Sequence, residues 1–343
     1  MAEFVLSKEV VLKQFRRINK VVDRLAYSLK TNPEVARVLE KHTNCLFSIC
    51  SINSITRVAN KKRIVLFLQG EPIGELKRIA KLGINKFVVD NINDLQNILA
   101  LAKEGFVEEL FLRIKVREHS IYTGKHFVYG FHWREANKLI QKLYSKFKDK
   151  FNLSLLFHRK TQNIGEWNLK EDFADAICKE NLHKLHTVNI GGGIPWKYIN
   201  SRPRLREIFS EIKTFRKFLN SEGIRLMAEP GRFIAAPAVE LHTKVLNVYD
   251  NTIIVDCSIF NAAMDTYLLN IRLPVKGESS RGHKFLIKGN SPDSLDIFRY
   301  QVFLKKKPKK GSTIVFRNAG AYNFHTDFND LPKLKTRIVE SFK

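Results

Sequence analysis

Apolar residues in this chain come in short continuous runs separated by longer stretches with helical spacing. Eight runs cover residues 25–29, 45–49, 64–68, 86–89, 109–114, 153–157, 186–190 and 224–228. Charged, helix-spaced segments lie between them, among them 75–80, 92–102, 133–147 and 204–219. Unbroken apolar runs suit strands buried on both faces, and so a parallel sheet. Eight strand-then-helix units describe a (β/α)8 barrel. Spacing alone leaves a doubly wound open sheet as the rival. After Arg232 the texture changes: 239–248, 252–256, 284–287, 301–304 and 313–316 read as strands with few amphipathic helices between them. The pattern predicts an α/β barrel over residues 1–235 and a C-terminal β domain over 236–343, with the boundary near 233–237.

Composition supports a folded, soluble chain. Hydrophobic residues make up 44% of the 343, enough for a large core. No apolar stretch approaches the roughly 18 residues of a membrane span. The opening MAEFVLSKEVVLKQF mixes acids and bases among its apolar residues, unlike a secretory signal. Cys45, Cys50, Cys178 and Cys257 form no CxxC pair, which points to neither a zinc site nor a disulfide framework and suggests a reduced, cytoplasmic location. The net charge of +25 fits either an anionic partner or a lysine-rich surface. The charge is spread along the chain and carries no nucleic-acid-binding signature. Its densest cluster, residues 305–310, precedes Gly311-Ser312 and reads as a solvated hairpin tip.

In such a barrel chemistry collects where strands end. The first run ends at Lys30, whose amine would lose its proton readily if buried, and which is otherwise a lysine emerging into solvent. The sixth ends at His158, either packed or functional. The seventh ends in Gly191-Gly192-Gly193, which either cradle a phosphate or make a tight turn. The eighth ends in Glu229-Pro230-Gly231-Arg232, a carboxylate and a guanidinium that each need a partner, with a plain structural ion pair as the alternative to a functional role. Together a lysine, a glycine cradle, an arginine, a histidine and a carboxylate fit pyridoxal 5'-phosphate (PLP).

The segments YSLKTNPEV, FLRI, LFHRKTQ, VNIGGGIP, MAEPGRFI, GNSPDSLD and NAGAYNFHTDFN run in order along the chain. With these it resembles the fold-type III PLP-dependent decarboxylases of ornithine, lysine and diaminopimelate. The resemblance implies an alanine-racemase-like barrel, a C-terminal β domain and a homodimer with shared active sites. It implies an N-terminal strand that is shortened or absent here. Residue by residue, it implies Lys30 as the PLP lysine, His158 against the ring face, and Glu229 at the pyridine nitrogen. Thr161, Gly191, Gly192, Gly193, Gly231, Arg232 and Tyr322 would hold the phosphate. Asp293 would reach the substrate across the dimer. The implied reaction is loss of CO2 from a basic amino acid through an external aldimine, within polyamine biosynthesis.

The chain departs from the family at several positions. Pro292 stands where the family has a cysteine that protonates the α-carbon, and Cys257 lies in the wrong segment to replace it. Asn189 and Ser48 stand where aspartates are usual. Asp293 favours a substrate with a distal amine, and no arginine lies near Met264 to grip a distal carboxylate. Tyr267-Leu268-Leu269 lacks the aspartate of a Tyr-Asp pair. A larger carboxylated conjugate of siderophore-pathway type and a non-catalytic, antizyme-inhibitor-like relative are the alternative readings.

Overall fold

The computed structural model describes residues 1–116, 129–158 and 167–342. Eight parallel strands, Arg24–Ser28, Leu46–Ile49, Ile64–Phe67, Lys86–Val89, Glu109–Lys115, Asn152–Leu156, Thr187–Asn189 and Arg225–Ala228, pair in sequence order. The fourth pairs with the fifth, and the last returns to the first through Met227 opposite Arg24. The sheet is therefore a closed barrel, which excludes the open doubly wound alternative. The two-residue strand Phe131–His132 extends it beside Glu109–Lys115.

Helices with apolar stripes pack around the outside. In Leu205–Ser221 the buried positions Leu205, Ile208, Ile212, Phe215 and Leu219 recur at three- and four-residue spacing. Inside the barrel Ala26, Val65, Val88, Phe111, Leu156 and Met227 form a separate apolar plug. Such a filled interior leaves chemistry to the rims.

The second sheet follows the barrel. Its strands include Val239–Tyr249, Thr252–Val255, His283–Lys288, Ile297–Leu304, Thr313–Phe316 and Lys335–Val339. The N-terminal strand expected to be shortened or absent is there: Glu3–Ser7 lies between Val239–Tyr249, antiparallel, and Lys335–Val339, parallel. The chain thus starts in the β sheet before entering the barrel. The lysine cluster at 305–310 is exposed apart from half-buried Pro308, but it is not a hairpin tip. Ile297–Leu304 pairs with His283–Lys288, whereas Thr313–Phe316 crosses to Val239–Tyr249. No helix among the described residues is long and apolar enough to cross a membrane.

Candidate functional site

The first barrel strand runs into a single turn, Leu29–Thr31, which carries Lys30. Asn32 fixes the exit from this turn. Its side chain accepts from the N–H of Glu34 at 3.0 Å and begins the helix Pro33–His42, with Pro33 in the first turn where its missing N–H is harmless. Leu29 and Thr31 are buried, but the Lys30 side chain between them is exposed. Burial of the strand end therefore does not extend to the amine. It opens into a cavity of about 280 Å3 at the C-terminal rim, shared with His158, Glu229, Arg232 and Tyr322. Five side chains singled out from four separate segments thus meet in one place.

Glu229 follows the last strand and is 5% exposed. Burial lifts its carboxyl to about 7, against the pull of hydrogen bonds from Asn189 and Ser48 and of the charges on Arg113 and Lys30. The Asn189 amide donates to Glu229 Oε1 at 2.9 Å, and its oxygen accepts from the Gly191 N–H at 2.8 Å. An ionised aspartate at 189 could not donate to Glu229 and would repel it. The two departures from the family, Asn189 and Ser48, thus act on the same carboxylate.

The glycines divide their work. A Cβ on Gly191, where φ is +63°, would fall 2.5 Å from His158 Nδ1, and one on Gly192 would fall 2.9 Å from the Glu229 carbonyl oxygen. Both positions need glycine for close packing. The Gly192 N–H donates to His158 Nδ1 at 3.0 Å. The first two amides of the expected cradle are therefore already engaged within the chain. Gly193, at φ +81°, keeps an N–H with no partner among the described residues. Burial, then the charges of Arg113 and Lys30, push His158 well below the usual imidazole value. The ring stays neutral, as an Nδ1 acceptor must be, while one side of it is bared to the cavity.

Arg232 is 2% exposed and does not pair with Glu229. Its Nη1 donates to the Tyr198 hydroxyl at 3.0 Å and to the Asp265 carboxylate, and its guanidinium lies 5.1 Å from the centre of the Tyr322 ring. Nε and Nη2 have no partner among the described residues. Two unsatisfied guanidinium N–H groups in a buried site suit an anion such as a phosphate. Gly231 permits the turn, since a Cβ there would sit 2.1 Å from Thr31 Oγ1. Tyr322 adopts φ 55° and donates its N–H to the Thr31 carbonyl at 3.1 Å. These residues fit pyridoxal phosphate.

One expected residue is not brought into this cavity, and another cannot be placed. Asp293 accepts from the Leu295 N–H at 2.7 Å, closing a turn, and does not line the cavity of its own chain. Thr161 lies outside the described residues. Several residues escaped the sequence reading of the site, Tyr198 among them. Asp265, in the helix Met264–Leu269, has as its only signal a lone acid in an apolar stretch. Arg113, within a strand run, lies over the Tyr129 ring at 5.3 Å. Cys50 lies just past the second strand and lines the cavity.

Residues 8–236 match the family described as pyridoxal-dependent decarboxylase, pyridoxal binding domain. The chain is 23% identical over 271 residues to a diaminopimelate decarboxylase of Zymomonas mobilis, covering 72% of this chain and 64% of that protein. It is 26% identical over 268 residues to a probable ornithine decarboxylase of Dictyostelium discoideum, covering 72% and 54%. These matches thus span less than two thirds of each relative's length. A solved lysine/ornithine decarboxylase of Vibrio vulnificus, complexed with putrescine, superposes with a TM-score of 0.82 at 22% identity, covering 100% of this chain and 95% of that one. A diaminopimelate decarboxylase of Helicobacter pylori complexed with L-lysine gives 0.80 at 20%, covering 99% and 92%. At these identities the structural likeness is one of fold.

Proposed function

This chain belongs to the pyridoxal-dependent decarboxylases, and from that premise we propose that it removes the α-carboxyl group of a basic amino acid of the ornithine or lysine type. The observation that carries the reading is the convergence of Lys30, Glu229 and Arg232 on one cavity, with two guanidinium N–H groups of Arg232 lacking a partner.

On this reading Lys30 holds PLP through its amine. Arg232 Nε and Nη2, the Gly193 N–H and the Tyr322 hydroxyl would bind the phosphate, with Gly191, Gly192 and Gly231 shaping that end. PLP, when bound, supplies an electron sink for the pair left on the α-carbon as CO2 departs. Glu229 holds a proton at the pyridine nitrogen. Its carboxyl, lifted to about 7, gives up or keeps that proton within the physiological range. His158, neutral and fixed by the Gly192 N–H, supports the ring face without adding charge. Lys30, the amine on the cavity lining, would move a proton at the α-carbon, since Pro292 has none to give. The finer proposal places the protein in the cytoplasm as a homodimer, with Asp293 serving the site of the second copy and the product feeding polyamine biosynthesis.

The test is CO2 release from L-ornithine and L-lysine by the PLP-loaded protein and by Lys30→Ala. Release by the native protein and loss of nearly all of it in the folded variant are expected. No release from either amino acid, or equal release by both proteins, would overturn the assignment.

A further inference from the structure

A guanidinium is planar and rigid, so holding the two hydrogens of one terminal nitrogen sets the direction of every other N–H. Arg232 is held in this way. Its Nη1 donates to the Tyr198 hydroxyl at 3.0 Å and to the Asp265 carboxylate. The nitrogens left over are Nε and Nη2, the two without a partner among the described residues. Tyr198 and Asp265 are both buried. Arg232 lines the cavity with Lys30, whereas neither of its acceptors does. Whatever they contribute to the cavity, they contribute through the arginine.

The two acceptors come from distant segments that are braced against each other. Tyr198 lies in the loop after the seventh barrel strand, Thr187–Asn189. Asp265 lies in the helix Met264–Leu269, which stops at Asn270 in the left-handed region, φ 51°. The N–H groups of Asn270 and Ile271 both return to the Asp265 carbonyl, the second at 3.3 Å. The chain beyond is tied to the Tyr198 loop. Asn200 Nδ2 donates to the Asn270 carbonyl at 2.7 Å, and its oxygen accepts from the Arg272 N–H at 3.1 Å. The Ile199 N–H donates to the Arg272 carbonyl at 3.1 Å. Asp265 is thus fixed at its own backbone and relative to Tyr198.

We propose, resting on the pyridoxal phosphate reading above, that Asp265 is a positioning residue: its carboxylate oxygen holds the Arg232 guanidinium so that Nε and Nη2 face the cofactor phosphate. A carboxylate near a phosphate repels it. What the site gains from Asp265 is therefore the place of an acceptor oxygen, not a negative charge.

Absorption titration of the PLP-free protein with PLP and with pyridoxal, which lacks the phosphate, tests this. Native protein should bind PLP about a hundredfold or more tightly than pyridoxal, the worth of two charge-assisted hydrogen bonds. Asp265→Asn keeps an acceptor oxygen in place and removes the charge, and should keep that preference within about threefold. Asp265→Glu keeps the charge and displaces the oxygen by one methylene. It and Asp265→Ala should each lose about tenfold or more of the preference, with pyridoxal affinity unchanged. Should Asp265→Ala not fold, the asparagine and glutamate variants decide. Preference kept in the glutamate variant, or lost in the asparagine one, would overturn the proposal and make Asp265 a counter-ion. Equal weakening of PLP and pyridoxal would overturn it too, leaving a structural acid. Both results leave the cofactor reading intact. Equal native affinity for PLP and pyridoxal would overturn the assignment of Arg232 to the phosphate together with the proposal, and native binding of neither would overturn the cofactor reading itself.

Discussion

Two glutamates buried in the same barrel have opposite chemistry. Glu109 begins the fifth strand, at the N-terminal rim, and Glu229 follows the eighth, at the C-terminal rim. They are 1% and 5% exposed. Burial pushes both carboxyls upward, but at Glu109 it is outweighed by His186, by Arg24 at 2.7 Å and by Ser154 at 2.7 Å, which hold the group at about 2. Glu229 receives only neutral donors directly, and burial wins, at about 7. The cation that could have paired with it, Arg232, is engaged by Asp265 instead. A barrel can therefore lock one carboxylate for stability and leave another poised, by deciding which has a cation in contact.

The largest expected effect that sharpens this contrast is on turnover. Glu229→Gln keeps the Asn189 contact but removes the titratable group. Its rate should drop by about 10²-fold or more while its thermal unfolding hardly moves, as fits a charge matched to the reaction. Unchanged turnover in the glutamine variant would make Glu229 a second structural acid. Next in size is Arg24→Ala, which leaves Glu109 short of its cation. Denaturant unfolding should show a loss of about 3 kcal/mol or more, typical of a broken buried pair, with PLP binding retained. A loss below about 1 kcal/mol would show that His186 and Ser154 suffice.

The two ends should also respond to pH in opposite directions. For Glu229 the folded value is above the unfolded one, so the folded state holds the extra proton. Its contribution is full below about 4.5 and is lost as pH rises through about 7. For Glu109 the folded value is lower, so its contribution is present above about 4.5 and is lost as pH falls through about 2. Unfolding measured on the PLP-free protein from pH 5 to 8 should therefore show a decline that Glu229→Gln removes. An identical decline in the variant would assign it to other groups. The smallest effect is that of Asn189→Ala. Losing one neutral donor, worth about 1 kcal/mol, should move the Glu229 midpoint further up in the same titration.

The barrel was legible because its signal is local. Strands buried on both faces read as unbroken apolar runs, and the run at 64–68 became Ile64–Phe67 while 86–89 became Lys86–Val89. The β domain was less legible. Lys335–Val339 is mostly exposed and exists as a strand because Glu3–Ser7, from the other end of the chain, pairs with it. No apolar run marks such a strand. The same holds within the site. Lys30, Glu229 and Arg232 could be picked out from positions after strand runs, but the partner of Arg232 lies 33 residues away on a separate helix. Which acid meets which base depends on how barrel and β domain dock, and the plain Glu229–Arg232 ion pair, the alternative reading of that segment, does not form because Asp265 takes the guanidinium.

The most direct test of the account is the visible absorption spectrum of the protein with PLP, recorded for native protein, Lys30→Ala and Arg24→Ala. A cofactor band in the native protein, kept in Arg24→Ala and absent from a folded Lys30→Ala, is the predicted result. A band that survives in Lys30→Ala, or no band in the native protein, would contradict the claim that the C-terminal rim is where this barrel holds its cofactor.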